Sequence, residues 1–274
     1  MKLQGTLGRS SFHVVAGGLS IIFLFPLVWT AYASVAGHPA TGQPSGYGFG
    51  NYQTLMDFDA GLFRFMLNST IVSVLTVAFT LGLSVLAGYA FARFTFPGRD
   101  VLFLVTIAIL MVPYATLLIP LYVLLHSIGL LNSLFGLSLV LTLYQLPFAV
   151  FMMRISFEAV PREIEESAMV DGCGTFAALR RVLLHSVWPG VITVGLFTFL
   201  AAWNDFIAPL ILVTDSSKAP LPLAVANLRQ QTMGAIDFGA TQAGVVVMAL
   251  PALLLFLVLQ RHYVRGFMSG AIKG

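Results

Sequence analysis

From Phe12 to Ala36 the chain carries no Asp, Glu, Lys or Arg, and the same holds from Val101 to Leu125, Leu134 to Met153 and Thr241 to Gln260. A helix of about 20 apolar residues crosses the roughly 30 Å hydrocarbon layer of a bilayer. Two further apolar runs, Phe63 to Phe91 and Val191 to Val213, each admit a single charge, Arg64 and Asp205 respectively. Six membrane-spanning helices are therefore expected. At 58% hydrophobic residues, 9% charged residues and a mean hydropathy of +0.92, the chain holds more apolar surface than a soluble core buries. Lipid cannot satisfy free backbone groups, so helices are the default for such runs, and the alternating pattern of barrel strands is absent. The expected class is an all-α membrane protein forming one domain over residues 1–274.

The basic residues give a direction. With the N-terminus inside, the inner side receives Lys2, Arg9, Arg93, Arg99, Arg154, Arg162, Arg180, Arg181, Arg261, Arg265 and Lys273, and the outer side Arg64, Lys218 and Arg229. Both termini are then cytoplasmic. The net charge of +3 reflects this topology, and no basic run interleaved with aromatics suggests nucleic acid. Lys2 and Arg9 ahead of the first run, with Ala31-Tyr32-Ala33 at its end, also resemble a cleaved leader. The run exceeds the roughly 7 to 15 apolar residues of such leaders, and its removal would leave an odd number of spans, so an uncleaved first helix is expected. Cys173 is the sole cysteine, which excludes an internal disulfide and a cysteine metal cluster. The loops over Gly37 to Leu62 and Asp215 to Ala240 read as outer connectors or partner contacts, rich in turn-forming residues.

One charged segment interrupts the apolar pattern, from about residue 154 to residue 190. Pro161 suits a first helical turn, and Glu163, Glu165 and Glu166 place negative charge near the positive end of the helix that follows. Ile164 and Ala168 lie four apart on one face, with the small Ser167 beside them. Gly172 permits a sharp bend. Beyond it Phe176, Leu179 and Leu183 recur at helical spacing, with Arg180 and Arg181 elsewhere, which predicts a second amphipathic helix. A helical hairpin at the inner membrane surface is expected. It either rests on headgroups or acts as a lever in a groove of a cytoplasmic partner. Three carboxylates within four residues oppose binding to an anionic surface.

This segment resembles the EAA loop of permease subunits in bacterial ATP-binding-cassette importers, whose pattern is E-A-A, three residues, G, nine residues, then I-x-L-P. Here it reads Glu166-Ser167-Ala168, Met169-Val170-Asp171, Gly172, nine residues to Arg181, then Val182-Leu183-Leu184-His185. Ser167, Val182 and His185 depart from the pattern, and Pro189 stands four residues after the missing proline. Asn51-Tyr52, Asn68-Ser69, Ile119-Pro120-Leu121-Tyr122, Gly129-Leu130-Leu131-Asn132, Trp203-Asn204-Asp205-Phe206 and the tail from Gln260 to Gly274 are similar to the maltose-type carbohydrate branch.

The resemblance implies a type I importer permease fold in the bacterial inner membrane, with a cytoplasmic coupling loop. The implied partners are a second permease, two cytoplasmic ATPases that grip Glu166, Ser167, Ala168, Asp171 and Gly172, and an external solute-binding protein. ATP and magnesium would sit on the ATPases and no cofactor on this chain, which has no G-x-x-x-x-G-K-[ST] loop. The cargo implied is an oligosaccharide, amino sugar or polyol, with glycerol phosphate as an alternative class.

A charge at membrane depth rarely faces lipid, which singles out Asp205 beside Trp203 and Asn204 as a solute-pathway group, or as an interhelical hydrogen bond. Asn68, Gln145 and Gln242 fit packing contacts, and Pro113, Pro120, Pro147 and Pro251 are expected to bend their helices. A secondary transporter would carry more midplane charges than Asp205 alone, and an intramembrane enzyme would need a cluster of acids or histidines that the spans lack.

Overall fold

The computed structural model describes residues 3–37, 46–231 and 237–271. The basic residues Lys2 and Lys273, and the end of the tail motif from Ile272 to Gly274, lie outside them. The described residues are helical throughout, apart from loops and an isolated bridge between Ala36 and Tyr47. They fall into two compact units, one of residues 1–62 and 225–250 and one of residues 63–224 and 251–274.

The first unit contains α1 (Leu3–Val35), α2 (Gly50–Asp57) and the start of α13 (Phe238–Ala271), as far as Leu250. Ala31-Tyr32-Ala33 lies within α1. The buried Asn51 of α2 donates to the carbonyls of Ser34 and Ala36 at 2.9 Å each, which satisfies two end-of-helix acceptors that would otherwise be orphaned. Asp237 caps α13 by accepting from the Ala240 amide at 2.9 Å.

The second unit holds α3 (Leu62–Arg93), α4 (Arg99–Ala108), α5 (Tyr114–Ser127), α6 (Leu134–Glu158), α7 (Arg162–Val170), α8 (Thr175–Ala178), α9 (Leu184–Ser186), α10 (Trp188–Asn204) and α11 (Ile207–Leu212), and the start of α12 (Leu221–Gln231). Among the described residues of the whole chain, four helices qualify as spans by length and apolarity, or up to six if each bent helix pair is one span. The most enclosed is α6, with half of its most apolar window buried. It meets α3 closely at Gly88, where a Cβ would stand 2.6 Å from that of Met153.

Two expected spans are broken. The third turns by 102° between α4 and α5. Proline restricts its predecessor to extended backbone, and Val112 at φ −78°, ψ 124° duly ends the helix ahead of Pro113. By contrast Pro120, Pro147 and Pro251 lie inside helices that run on through them. The fifth span starts earlier than expected, at Trp188, and stops at Asn204 because Asp205 adopts extended backbone before the short α11.

The connector after α11, expected on the outer side, is also more ordered than its prolines suggest. It forms a 3-10 turn over Ser216–Lys218 and then α12, with Pro222 in the first helical turn where its missing N–H costs nothing. Side chains tie it down: Asn68 donates to the carbonyls of Ser217 (2.9 Å) and Ala219 (3.0 Å), and Ser69 accepts from the Leu221 amide at 2.8 Å. Asn132, in the left-handed region at φ 56°, accepts from the amides of Thr214 and Asp215 at 3.1 Å each. The hydroxyl and amide of Ser217 hold the Asp215 carboxyl below its ordinary range.

Candidate functional site

The charged segment folds as the expected hairpin. Pro161 precedes α7, whose C-terminus closes with the Gly172 amide bonded to the Met169 carbonyl and the Cys173 amide to the Ala168 carbonyl, each at 3.0 Å. This is the Schellman pattern, which puts Gly172 in the left-handed region at φ 87°. The returning arm, α8 to α9, contains a π turn over Leu179–Leu183. At Val187 the chain turns by 79° into α10, with Pro189 in that helix's first turn. The bend thus falls where Pro189 replaces the proline missing at His185.

The two arms are fastened differently. Leu179, Leu183 and Val187 join Tyr89 and Ala92 of α3, Ala149, Met153 and Phe157 of α6, and Val191 of α10 in one apolar core. Phe176 does not share that face: it is 68% exposed, and the inward position at its level belongs to the fully buried Ala178. On α7 only Glu165 and Ala168 are buried. By sequence Glu165 is one of three acids at a helix N-terminus, yet its carboxylate accepts from the Tyr89 hydroxyl and lies 3.1 Å from Arg93 Nε. The Arg93 contact is one of charge rather than an aligned hydrogen bond, and the same guanidinium donates to the Val160 carbonyl at 2.8 Å.

Of the coupling residues expected from sequence, Glu166, Ser167, Asp171 and Gly172 are exposed, while Ala168 turns inward. Around them the hairpin exposes Ile164, Met169 (41%), Val170 (87%) and Phe176, an apolar tip that the acidic composition concealed.

A second arrangement forms where the third and fifth spans break. A cleft of about 460 Å³ is lined by residues 109–114, Leu141, Tyr144, Gln145, Ala201, Ala202 and Asp205. Asp205 Oδ1 accepts from the Ala208 amide at 2.9 Å, which starts α11, and Oδ2 accepts from the Tyr114 hydroxyl at 2.7 Å. Tyr144 donates to the Tyr114 carbonyl at 2.9 Å, and the two rings meet edge to face with centroids 4.2 Å apart. Asp205 therefore makes an interhelical hydrogen bond and lines the cleft at once. Trp203 does not line it: it is 2% exposed and stacks on Phe199. Asn204 is exposed and donates to the Leu200 carbonyl of its own helix at 2.7 Å. The aromatic walls of the cleft are Tyr114 and Tyr144, and Gln145 joins them. Among the described residues no cluster of His, Cys, Asp and Glu fits a metal.

Residues 81–268, which contain both the hairpin and the cleft, match the family described as the binding-protein-dependent transport system inner membrane component. The chain belongs to this family. It is thus a multi-pass permease of the inner membrane from the ABC importers. The permease is 34% identical to the diacetylchitobiose uptake system permease protein DasC of Streptomyces coelicolor, over 99% of each chain. It is 32% identical to the trehalose transport system permease protein SugB of Mycobacterium tuberculosis, over 97% of this chain and 98% of that one. Its fold matches a chain of a bacterial ABC transporter that imports the acidic polysaccharide alginate, with a TM-score of 0.78 at 20% identity over 96% and 97% of the two chains. A chain of the MetNI methionine transporter matches with a TM-score of 0.58 at 15% identity, over 74% of the permease and 95% of that chain.

Proposed function

We propose that this permease is the membrane share of a carbohydrate importer whose ATP is bound and hydrolysed by other chains. The observation that carries the reading is the hairpin: one arm is rooted in the apolar core of the spans, while its tip presents Glu166, Asp171 and the bare side chains of Met169, Val170 and Phe176. Apolar groups exposed beside acids suit a protein groove better than headgroups. Two cytoplasmic ATPases with ATP and magnesium would seat on such hairpins, one on this chain and one on a second permease, with a solute-binding protein outside and both termini of this chain in the cytoplasm. Motion of the ATPases would then switch the spans between two packings.

For cargo, the diacetylchitobiose and trehalose relatives favour an oligosaccharide or amino sugar. The cleft agrees, because tyrosine faces suit the apolar faces of a sugar ring while Asp205 and Gln145 offer hydrogen bonds to its rim. No Lys or Arg lines the cleft, which disfavours an anion such as glycerol phosphate.

The test is reconstitution with an ATPase, a second permease and a solute-binding protein from the same cell. Uptake of labelled diacetylchitobiose or trehalose in the presence of ATP is expected. Glu166→Lys should lose both uptake and ATPase copurification while inserting normally. Full ATPase copurification and transport by Glu166→Lys would refute the docking role.

A further inference from the structure

The two arms of the hairpin are attached by different physics. The returning arm sinks Ala178, Leu179 and Leu183 into the apolar core. The leading arm, α7, carries the exposed Glu166 and Ser167 and has two buried side chains, the methyl of Ala168 and the carboxylate of Glu165. Apolar contacts are non-directional and permit sliding. A buried carboxylate held by a guanidinium and a phenol fixes one register, because displacement strands a charge away from water. Both partners of Glu165 lie near the end of α3, one turn apart at Tyr89 and Arg93. Arg93 also donates to the Val160 carbonyl in the linker between α6 and α7, which ties that linker to the end of α3. At its far end α3 holds the outer connector through Asn68 and Ser69.

We propose that Glu165, Arg93 and Tyr89 form a latch that makes α7 and α3 move as one body, so that a push on the hairpin reaches the outer connector along α3. These are positioning residues: they need touch neither solute nor nucleotide. The inference rests on the reading of this chain as an ATP-driven permease. Without the latch, a displaced α7 would shear across α3 and the ATPase would turn over without moving the spans.

The experiment uses the complete transporter, with Cys173→Ser removing the native thiol and Ala201→Cys marking the cleft. The rate at which a membrane-impermeant maleimide labels this cysteine is measured with and without trapping by ATP, magnesium and vanadate, alongside ATP hydrolysis. Glu165→Gln is expected to keep hydrolysing ATP while its trapping-dependent change in labelling shrinks about tenfold, within the range by which network substitutions alter coupling. Tyr89→Phe, which spares the charge contact, should show a smaller loss. The exchange Arg93→Glu with Glu165→Arg should restore part of the response, which a role in folding alone would not produce.

An undiminished labelling response in Glu165→Gln overturns the latch. If Glu165→Gln does not assemble, an undiminished response in Tyr89→Phe does so instead. If the transporter with Ala201→Cys and an intact latch shows no response to nucleotide, the ATP-driven reading fails and the latch falls with it. A response there that survives in the latch variants removes the latch alone.

Discussion

Glu165 and Glu166 are identical side chains with opposite surroundings. Successive residues on an α-helix are rotated by about 100°, so the pair cannot share a face, and α7 turns Glu165 toward Arg93 while leaving Glu166 bare. Gly172 poses a similarly local question. A Cβ there would meet nothing within 4 Å, yet its φ of 87° disfavours any side chain. Within this chain, then, Gly172→Ala and Gly172→Leu should cost the same, about 1 to 2 kcal/mol of backbone strain at the hairpin turn. Amide hydrogen exchange over α7 should rise equally in both. Copurification with the ATPase should separate them, falling further for leucine, because only a docked surface can meet the larger side chain. Equal copurification would mean that this turn faces water in the assembly.

At the scale of elements, the spans were legible in the sequence because lipid demands long apolar runs, and the hairpin because glutamate, glycine and helical spacing coincide there. The breaks were not. Pro113 and Pro120 both stand in one apolar run, but only at Pro113 does the chain leave the helix, and there Tyr114 and Tyr144 from α5 and α6 lock the new direction. A proline within a helix removes one hydrogen bond and bends it, whereas the sharp turn depends on what the next residues hold. Asp205 was found from its charge alone. Its partner Tyr114 lies 91 residues away and carries no local signal. The same distance problem hid Glu165 from Arg93 and Tyr89. Gly88 offers a test of how rigidly the elements meet, since valine there would collide with Met153 Cβ and the backbone at Arg154. Gly88→Val should force α3 from α6, at about 1 to 3 kcal/mol for overpacking, and lower the thermal midpoint of the purified transporter. An unchanged midpoint would show that the two helices separate freely at this level.

For the whole molecule, orientation decides whether the hairpin can meet the proposed ATPase, and the charges that bear on it are partly engaged elsewhere. On the hairpin side, Arg93 is buried against Glu165, and Arg154 pairs with Glu158 at 2.7 Å while lying over the Phe103 ring at 4.0 Å. Arg162, Arg180 and Arg181 remain exposed. On the opposite side Arg64 and Lys218 are tied to carbonyls of Ser217 and Asn132. The bias toward the hairpin therefore survives when the engaged groups are set aside, and by the positive-inside rule it supports the proposed cytoplasmic placement of the hairpin. With Cys173→Ser as background, a cysteine at the exposed Val170 and another at the exposed Thr214 report the two sides. In intact cells an impermeant maleimide should label Thr214→Cys and spare Val170→Cys, and permeabilisation should expose both. The reverse pattern would put the hairpin outside, out of reach of any cytoplasmic ATPase, and would overturn the proposed coupling whatever the family.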